Sequence, residues 1–367
     1  MSNQEKITTF SAQPNSVIGI IGGGQLGRMA CFAAHQMGFR TVVFTDQENS
    51  PASFVTNQTI VADYSDEKAL KKFADLIDVA TFEFENIPVK TVEFLSSLKP
   101  VFPNAEVLKT TQHRILEKTF LNSIGVKTAD FAEIKSLEDL LTSIKKFSTA
   151  ILKTATMGYD GKGQFVFSGE EQAREIWPLV SELVSSQKLI LEKFCPFKTE
   201  VSVIVARSKS GEISSYEPLE NFHKLGILDK SIYPAQIPES LKIKAQEVAI
   251  KIADKLNLIG VLAAEFFVMN DETLLVNELA PRPHNSGHFS MDASVTSQFE
   301  QLIRAICDFP LGSTEFHSKG CMKNLIGDEI KNLEEFRKNP QAKIHLYGKL
   351  ESKAGRKMGH VNILNSK

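Results

Sequence analysis

The chain has 367 residues, enough for two or three domains that each bury a core. Lys plus Arg number 42 against 44 Asp plus Glu, a formal net charge of -2. That balance excludes a global field for nucleic acid or an anionic membrane and leaves phosphate handling to local clusters.

The cysteines Cys31, Cys195, Cys307 and Cys321 are scattered without C-x-x-C spacing, which excludes a disulfide framework or zinc site and fits a reducing cytosol. Residues 1–16 are polar and no run reaches the about 18 apolar residues of a membrane span, so a cytoplasmic protein without a leader is expected.

In chain order, VIGII (17–21) reads as a strand, QLGRMACFAAHQMGF as a helix and TVVFTD (41–46) as a second strand, a β-α-β unit. TIVAD (59–63), a helix over DEKALKKFADL and VATFEF (79–84) continue the alternation of a parallel sheet. The expected units are a Rossmann-like domain over 1–122, a small lid over 123–194 and a larger mixed domain over 195–367, giving a fold class of α/β and α+β. In the second unit AILKTA (150–155) and QFVFS (164–168) flank a glycine-rich loop, followed by a helix near 170–186 and the strand KLILEKF (188–194). From 199 onward hairpins dominate, interrupted by helices near 240–256 and 296–307.

Gly22, Gly24 and Gly27 satisfy G-x-G-x-x-G between a strand and a helix, with Asp46 about twenty residues on. A nicotinamide-dependent oxidoreductase is therefore a rival reading. The glycines by themselves require only a tight turn and a helix N-terminus open to an anion.

MGYDGKGQ (157–164) sets Gly158, Gly161 and Gly163 around Lys162 between two strands. Exposed amides and one cation can close over a polyphosphate, although an ordinary hairpin tip has the same composition. Lys153, ending the preceding strand, is a second candidate cation.

VLAAEFFVM (261–269) and TLLVNEL (273–279) form a candidate hairpin. Centred between Asp271 and Glu272, it sets Glu265 opposite Glu278, two like charges inside apolar strands that need a proton or a cation between them. Mg²⁺ shared with nucleotide phosphates is the expected resident. A slipped register would instead leave one glutamate solvated, and Asn277 would alternate to the opposite face.

GGGQLGRM (22–29), TFEFENIP (81–88), GYDGKGQ, PRPHNSGH (281–288) and YGKLESKAGRKMGH (347–360) occur in this order. Together they resemble the ATPase subunit of phosphoribosylaminoimidazole carboxylase, an ATP-grasp family. The resemblance implies an ATP-grasp fold with ATP between the small lid and the third domain. It implies phosphate contacts at Arg114 and Lys153 and a loop of Gly158, Tyr159, Asp160, Gly161, Lys162, Gly163 and Gln164. Glu192, Lys193, Phe194 and Cys195 would form the segment that reads adenine. Glu200 would take the ribose hydroxyls, His223 another part of the nucleotide, and Asn277 and Glu278 with Glu265 the metal end. Glu83, Tyr159, Lys162, Arg282, His284, Lys349 and Arg356 would form the site for aminoimidazole ribonucleotide and bicarbonate. The family often carries arginine where this chain has Lys162, which changes the available donor geometry.

The activity so implied is ATP- and bicarbonate-dependent carboxylation of the ribonucleotide through carboxyphosphate, in a homodimer working beside a separate mutase. A ligase activating formate or an amino-acid carboxylate would share the chemistry as far as the acyl phosphate, and only PRPHNSGH and AGRKMGH argue against it.

Overall fold

The computed structural model describes residues 10–156, 164–186 and 188–365. Strands β1 (Val17–Ile21), β2 (Arg40–Thr45), β3 (Gln58–Val61) and β4 (Val79–Phe82) form a parallel sheet in the order β3-β2-β1-β4. Parallel strands covered on both faces need near-continuous apolar runs, and β4 is buried throughout. Phe44, Phe73 and Phe82 anchor its core. The helix Glu67–Leu76 begins where Asp66 accepts from the amides of Lys68 and Ala69.

The second sheet contains β5 (Phe131–Ile134), β6 (Thr149–Thr154), β7 (Gln164–Ser168) and β8 (Leu189–Lys193) in the order β5-β8-β6-β7, with every pair antiparallel. Helices Leu137–Phe147 and Gly169–Ser186 contribute to its core through Leu140, Ile144, Ala173 and Val180. β5 and the helix after it escape the sequence reading because FAEI is only four residues long and mostly half-buried, without a clean alternation.

The third sheet runs β14-β13-β9-β11-β12-β15-β17-β16, with β10 beside β9. Its members are β9 (Thr199–Arg207), β10 (Ile213–Ser215), β11 (Leu219–Lys224), β12 (Ile227–Tyr233), β13 (Gly260–Val268), β14 (Leu274–Ala280), β15 (Lys319–Ile326), β16 (Ala342–Leu346) and β17 (Lys357–Asn365). Period-two alternation divides its faces. Val203, Val205, Leu262, Ala264 and Phe266 pack under the helix Glu239–Lys255. Ile204, Ala206, Val261 and Ala263 meet Phe299, Leu302 and Ile303 of the helix Gln298–Ile306, in a core shared with Ala30, Ala33 and Ala34 of the helix Gln25–Gln36. One continuous core therefore ties the first domain to the third. Further along that same face come Glu200, Glu265 and Phe267, which line an open cleft.

Candidate active site

The β13–β14 hairpin pairs Val268 with Leu274, Phe267 with Leu275 and Phe266 with Val276. Its centre is therefore Asp271, half a residue from the expected position, and a regular ladder would bring Asn277 opposite Glu265. Between Phe266 and Glu265 the register shifts, and Glu265 pairs with Glu278. Asn277 is the extra residue of a β-bulge. The bulge brings Asn277 and Glu278 to the same cleft, in which both line the wall, whereas strict alternation would separate them.

Burial and the nearby Glu278 push the Glu265 carboxyl up to about 8, against the pull of His223. Glu265 is buried whereas Glu278, opposite it, stays exposed, and a buried carboxyl that retains its proton beside a second carboxylate suits a divalent cation that replaces the proton. Among the described residues no group of three or more His, Cys, Asp or Glu is placed to hold a metal ion by itself. The two carboxylates fit Mg²⁺ completed by phosphate oxygens and water, the ligand mixture this ion prefers.

The cleft has a volume of about 340 Å³ between the second and third sheets. Ile151, Lys153 and Gln164 come from the second sheet and Glu200, His223 and Phe267 from the third. Phe197 stacks on Phe267 with ring centroids 4.5 Å apart. His223 Nδ1 lies 2.6 Å from Glu200 Oε2, and this partner raises the imidazole's pKa although burial alone would lower it. Lys153 Nζ donates to Glu192 Oε2 at 2.9 Å, and Lys118 Nζ lies 3.7 Å from the other oxygen. Burial would raise the Glu192 pKa, but the two lysines together lower it. Lys193, Phe194 and Cys195 line a neighbouring cavity of about 730 Å³ instead of this one. Gly158, Tyr159, Asp160, Gly161, Lys162 and Gly163 lie outside the described residues.

A second cavity, also about 340 Å³, lies between the first domain and the loop after β14. Glu83, Arg282 and His284 line it together, and so do Glu85, Glu117 and Lys357, which the sequence reading passed over. Arg282 Nε donates to Glu85 Oε2. Burial opposes the charge on both partners, yet Glu85 is held below its ordinary pKa and Arg282 above its own. His284 accepts from the Ser286 amide through Nδ1, while its Nε2 lies 3.3 Å from Glu265 Oε1. Burial and then Arg282 hold this imidazole well below its usual pKa, so it is neutral. Arg114, Glu278, His284, Asn285 and Lys357 line both cavities, making the carboxylate end of one the entrance to the other.

Glu83 has a double location. Its carboxylate accepts from the amides of Gly24 and, at 2.8 Å, Gly27, the first turn of the helix Gln25–Gln36. The G-x-G-x-x-G turn thus receives an anion supplied by the chain itself, and an added Cβ at Gly24 would lie 2.5 Å from Glu83 Oε1. A dinucleotide pyrophosphate would have to displace this buried carboxylate.

Lys349 and Arg356 line neither cavity. Lys349 Nζ donates to the Lys357 carbonyl at 2.7 Å, close enough for its charge to act on Glu83, whereas Arg356 Nη1 donates to the Glu351 carbonyl at 3.0 Å. Glu117 and Lys118 occupy successive positions of the helix Arg114–Ser123 and are almost fully buried. An R-x-x-E-K spacing places Arg114, Glu117 and Lys118 on one helical face, and that spacing was the available signal.

A small antiparallel sheet facing a carboxylate-bearing sheet across a cation-lined cleft defines an ATP-grasp protein, and the model of the ATP-grasp domain matches residues 119–299. The ribonucleotide synthetase preATP-grasp domain matches 16–112, and the phosphoribosylaminoimidazole carboxylase C-terminal domain matches 320–367. The N5-carboxyaminoimidazole ribonucleotide synthase of Bacillus subtilis is 44% identical over 356 residues, covering 96% of this chain and 92% of that one. A bifunctional purine synthesis protein of Dictyostelium discoideum is 43% identical over 95% of this chain, which spans 37% of that longer protein. The ADP complex of an N5-carboxyaminoimidazole ribonucleotide synthetase superposes with a TM-score of 0.92 at 44% identity, covering 97% of this chain and 94% of that one. The Aspergillus clavatus enzyme in complex with ADP and 5-aminoimidazole ribonucleotide gives 0.89 at 29% identity, covering 96% and 94%. The chain belongs to the N5-carboxyaminoimidazole ribonucleotide synthase family of ATP-grasp ligases.

Proposed function

We propose that this protein uses ATP and bicarbonate to carboxylate 5-aminoimidazole ribonucleotide on its exocyclic amine, releasing ADP and phosphate, in purine biosynthesis. The observation that carries this reading is the set of residues common to the two cavities. It gives a group activated at the nucleotide's terminal phosphate a short path to an amine in the second cavity.

Bicarbonate oxygen attacks the terminal phosphorus and ADP leaves, giving carboxyphosphate. This breaks down to phosphate and carbon dioxide, and the amine attacks the carbon and loses a proton. Mg²⁺ held by Glu265 and Glu278 would offset charge on the transferring phosphoryl group. Lys153 and Arg114 orient the phosphates from the opposite wall. Arg282, fixed by Glu85, presents a guanidinium at the entrance, and the neutral His284, whose Nδ1 accepts from the Ser286 amide, can donate there through Nε2. Glu200 and His223 hold the ribose side, while Lys349 and Arg356 attract the ribonucleotide phosphate from outside the described cavity.

We further propose the units 1–122, 123–194 and 195–367, a homodimer in the cytoplasm, and transfer of the product to a separate mutase. None of the described helices is long and apolar enough to cross a membrane. The deciding experiment is ADP release with 5-aminoimidazole ribonucleotide, with and without bicarbonate. Stimulation that ignores bicarbonate would point to another acid partner.

A further inference from the structure

β14 is the edge strand of the third sheet, so half of its backbone groups point away from the ladder. Beside Glu278 these groups are taken by side chains from another domain. Lys118 Nζ donates to the Asn277 carbonyl at 3.1 Å, and Glu117 Oε2 accepts from the Leu279 amide at 2.8 Å. Both residues lie on the helix Arg114–Ser123, with relative exposures of 1% and 2%. Water could satisfy an edge amide and carbonyl at little cost, whereas burying an acid and an ammonium is expensive. The gain is geometric: the bulge is gripped on both sides of the one residue whose carboxylate must stay opposite Glu265.

Two further features support that role. The second Glu117 oxygen, Oε1, is buried without a hydrogen-bond partner among the described residues, so the side chain is anchored through Leu279 alone. Lys118 also reaches Glu192, which holds Lys153, and this links the phosphate-facing cation of β6 to the strand that carries Glu278.

We propose that Glu117 and Lys118 are positioning residues that clamp β14 on either side of Glu278 and so set the geometry for Mg²⁺ beside the nucleotide. The inference rests on the nucleotide and metal reading given above. It predicts a loss confined to the metal-dependent part of binding.

The test is calorimetric ADP binding to the full chain with and without Mg²⁺, together with the Mg²⁺ dependence of turnover. Glu117→Ala should weaken the Mg²⁺-dependent increment in ADP affinity about 10- to 100-fold, the range for lost outer-shell partners, and leave metal-free ADP binding unchanged. Glu117→Gln should restore most of it, because the amide oxygen can still accept from Leu279. Lys118→Met, which leaves Glu192 paired with Lys153, should show the same Mg²⁺-specific loss and serves if Glu117→Ala does not fold. Wild-type Mg²⁺ dependence in both Glu117→Ala and Lys118→Met would overturn the clamp, as would a Glu117→Gln no better than Glu117→Ala. A wild-type protein whose ADP affinity ignores Mg²⁺ would instead overturn the metal reading beneath it.

Discussion

Glu265 of β13 faces Glu278 of β14 because Asn277 is an extra residue in the ladder between them. The bulge places two carboxylates and an amide at one end of the nucleotide cleft, where a regular hairpin would offer a single carboxylate opposite an asparagine. Replacing Glu278 by Gln keeps the shape and removes one charge. ADP formation should fall by more than about 100-fold, beyond the usual loss for an outer-shell partner, with an unchanged circular dichroism spectrum. Near-normal turnover would remove Glu278 from the metal site.

The sequence carried the facing glutamates but not the reason for them. Two apolar strands and a polar turn give the pairing by counting, yet the count was half a residue off and the bulge corrected it. No local pattern marks a bulge at Asn277, because it is held from outside by Glu117 and Lys118, 160 and 159 positions earlier in the chain. The parallel sheet of the first domain was legible because its buried strands are continuous apolar runs. The cavity between first and third domains was only partly so. Glu85 joins Glu83 at the cavity, and Lys357 reaches it where the adjacent Arg356 does not, because backbone geometry rather than composition decides which side chains face it.

The raised pKa of Glu265 makes a statement about stability. Its folded value of about 8 lies above the ordinary 4.5, so between these limits the metal-free folded state keeps a proton that the unfolded chain gives up. Stability therefore declines as pH rises through this window and levels off above about 8, the reverse of a salt-bridged carboxylate. Glu265→Gln removes this residue's share of the decline, while Glu117, also pushed up to about 8 by burial, keeps its own. The variant's melting temperature should gain on that of the wild type as pH rises from about 5 to about 8. Parallel curves would show that Glu265 ionises freely.

Lys357 and Arg356 are adjacent in the chain but differ in what they face. Lys357 lines both cavities, and Arg356 lines neither. Lys357→Met should lower kcat/KM for both substrates by about tenfold or more, since a charge-assisted hydrogen bond contributes roughly 1.5–3 kcal/mol. Arg356→Ala should raise the ribonucleotide KM more than the ATP KM. Equal effects of Arg356→Ala on the two would exclude it from the ribonucleotide site.

Glu83 tests the reading of the glycine motif. Its carboxylate serves two amides at the start of the helix Gln25–Gln36, and Gly22, at φ 110°, would bring a Cβ 2.4 Å from the Glu83 Cγ. Glu83→Ala strands two donors at the cavity wall, each costing about 1–3 kcal/mol if water does not reach it. Gly24→Ala should lower the melting temperature similarly, because the new methyl occupies the carboxylate's place and forces it off the same amides. Glu83→Gln has one acceptor oxygen for two donors and should fall between Glu83→Ala and the wild type. If the turn instead served a dinucleotide, Glu83→Ala would vacate the helix terminus and NADH would bind more tightly, as a fluorescence titration would detect. A carboxylate that belongs to the fold and the second cavity predicts no saturable NADH binding in either protein, because the anion this turn was built to receive is already covalently part of the chain.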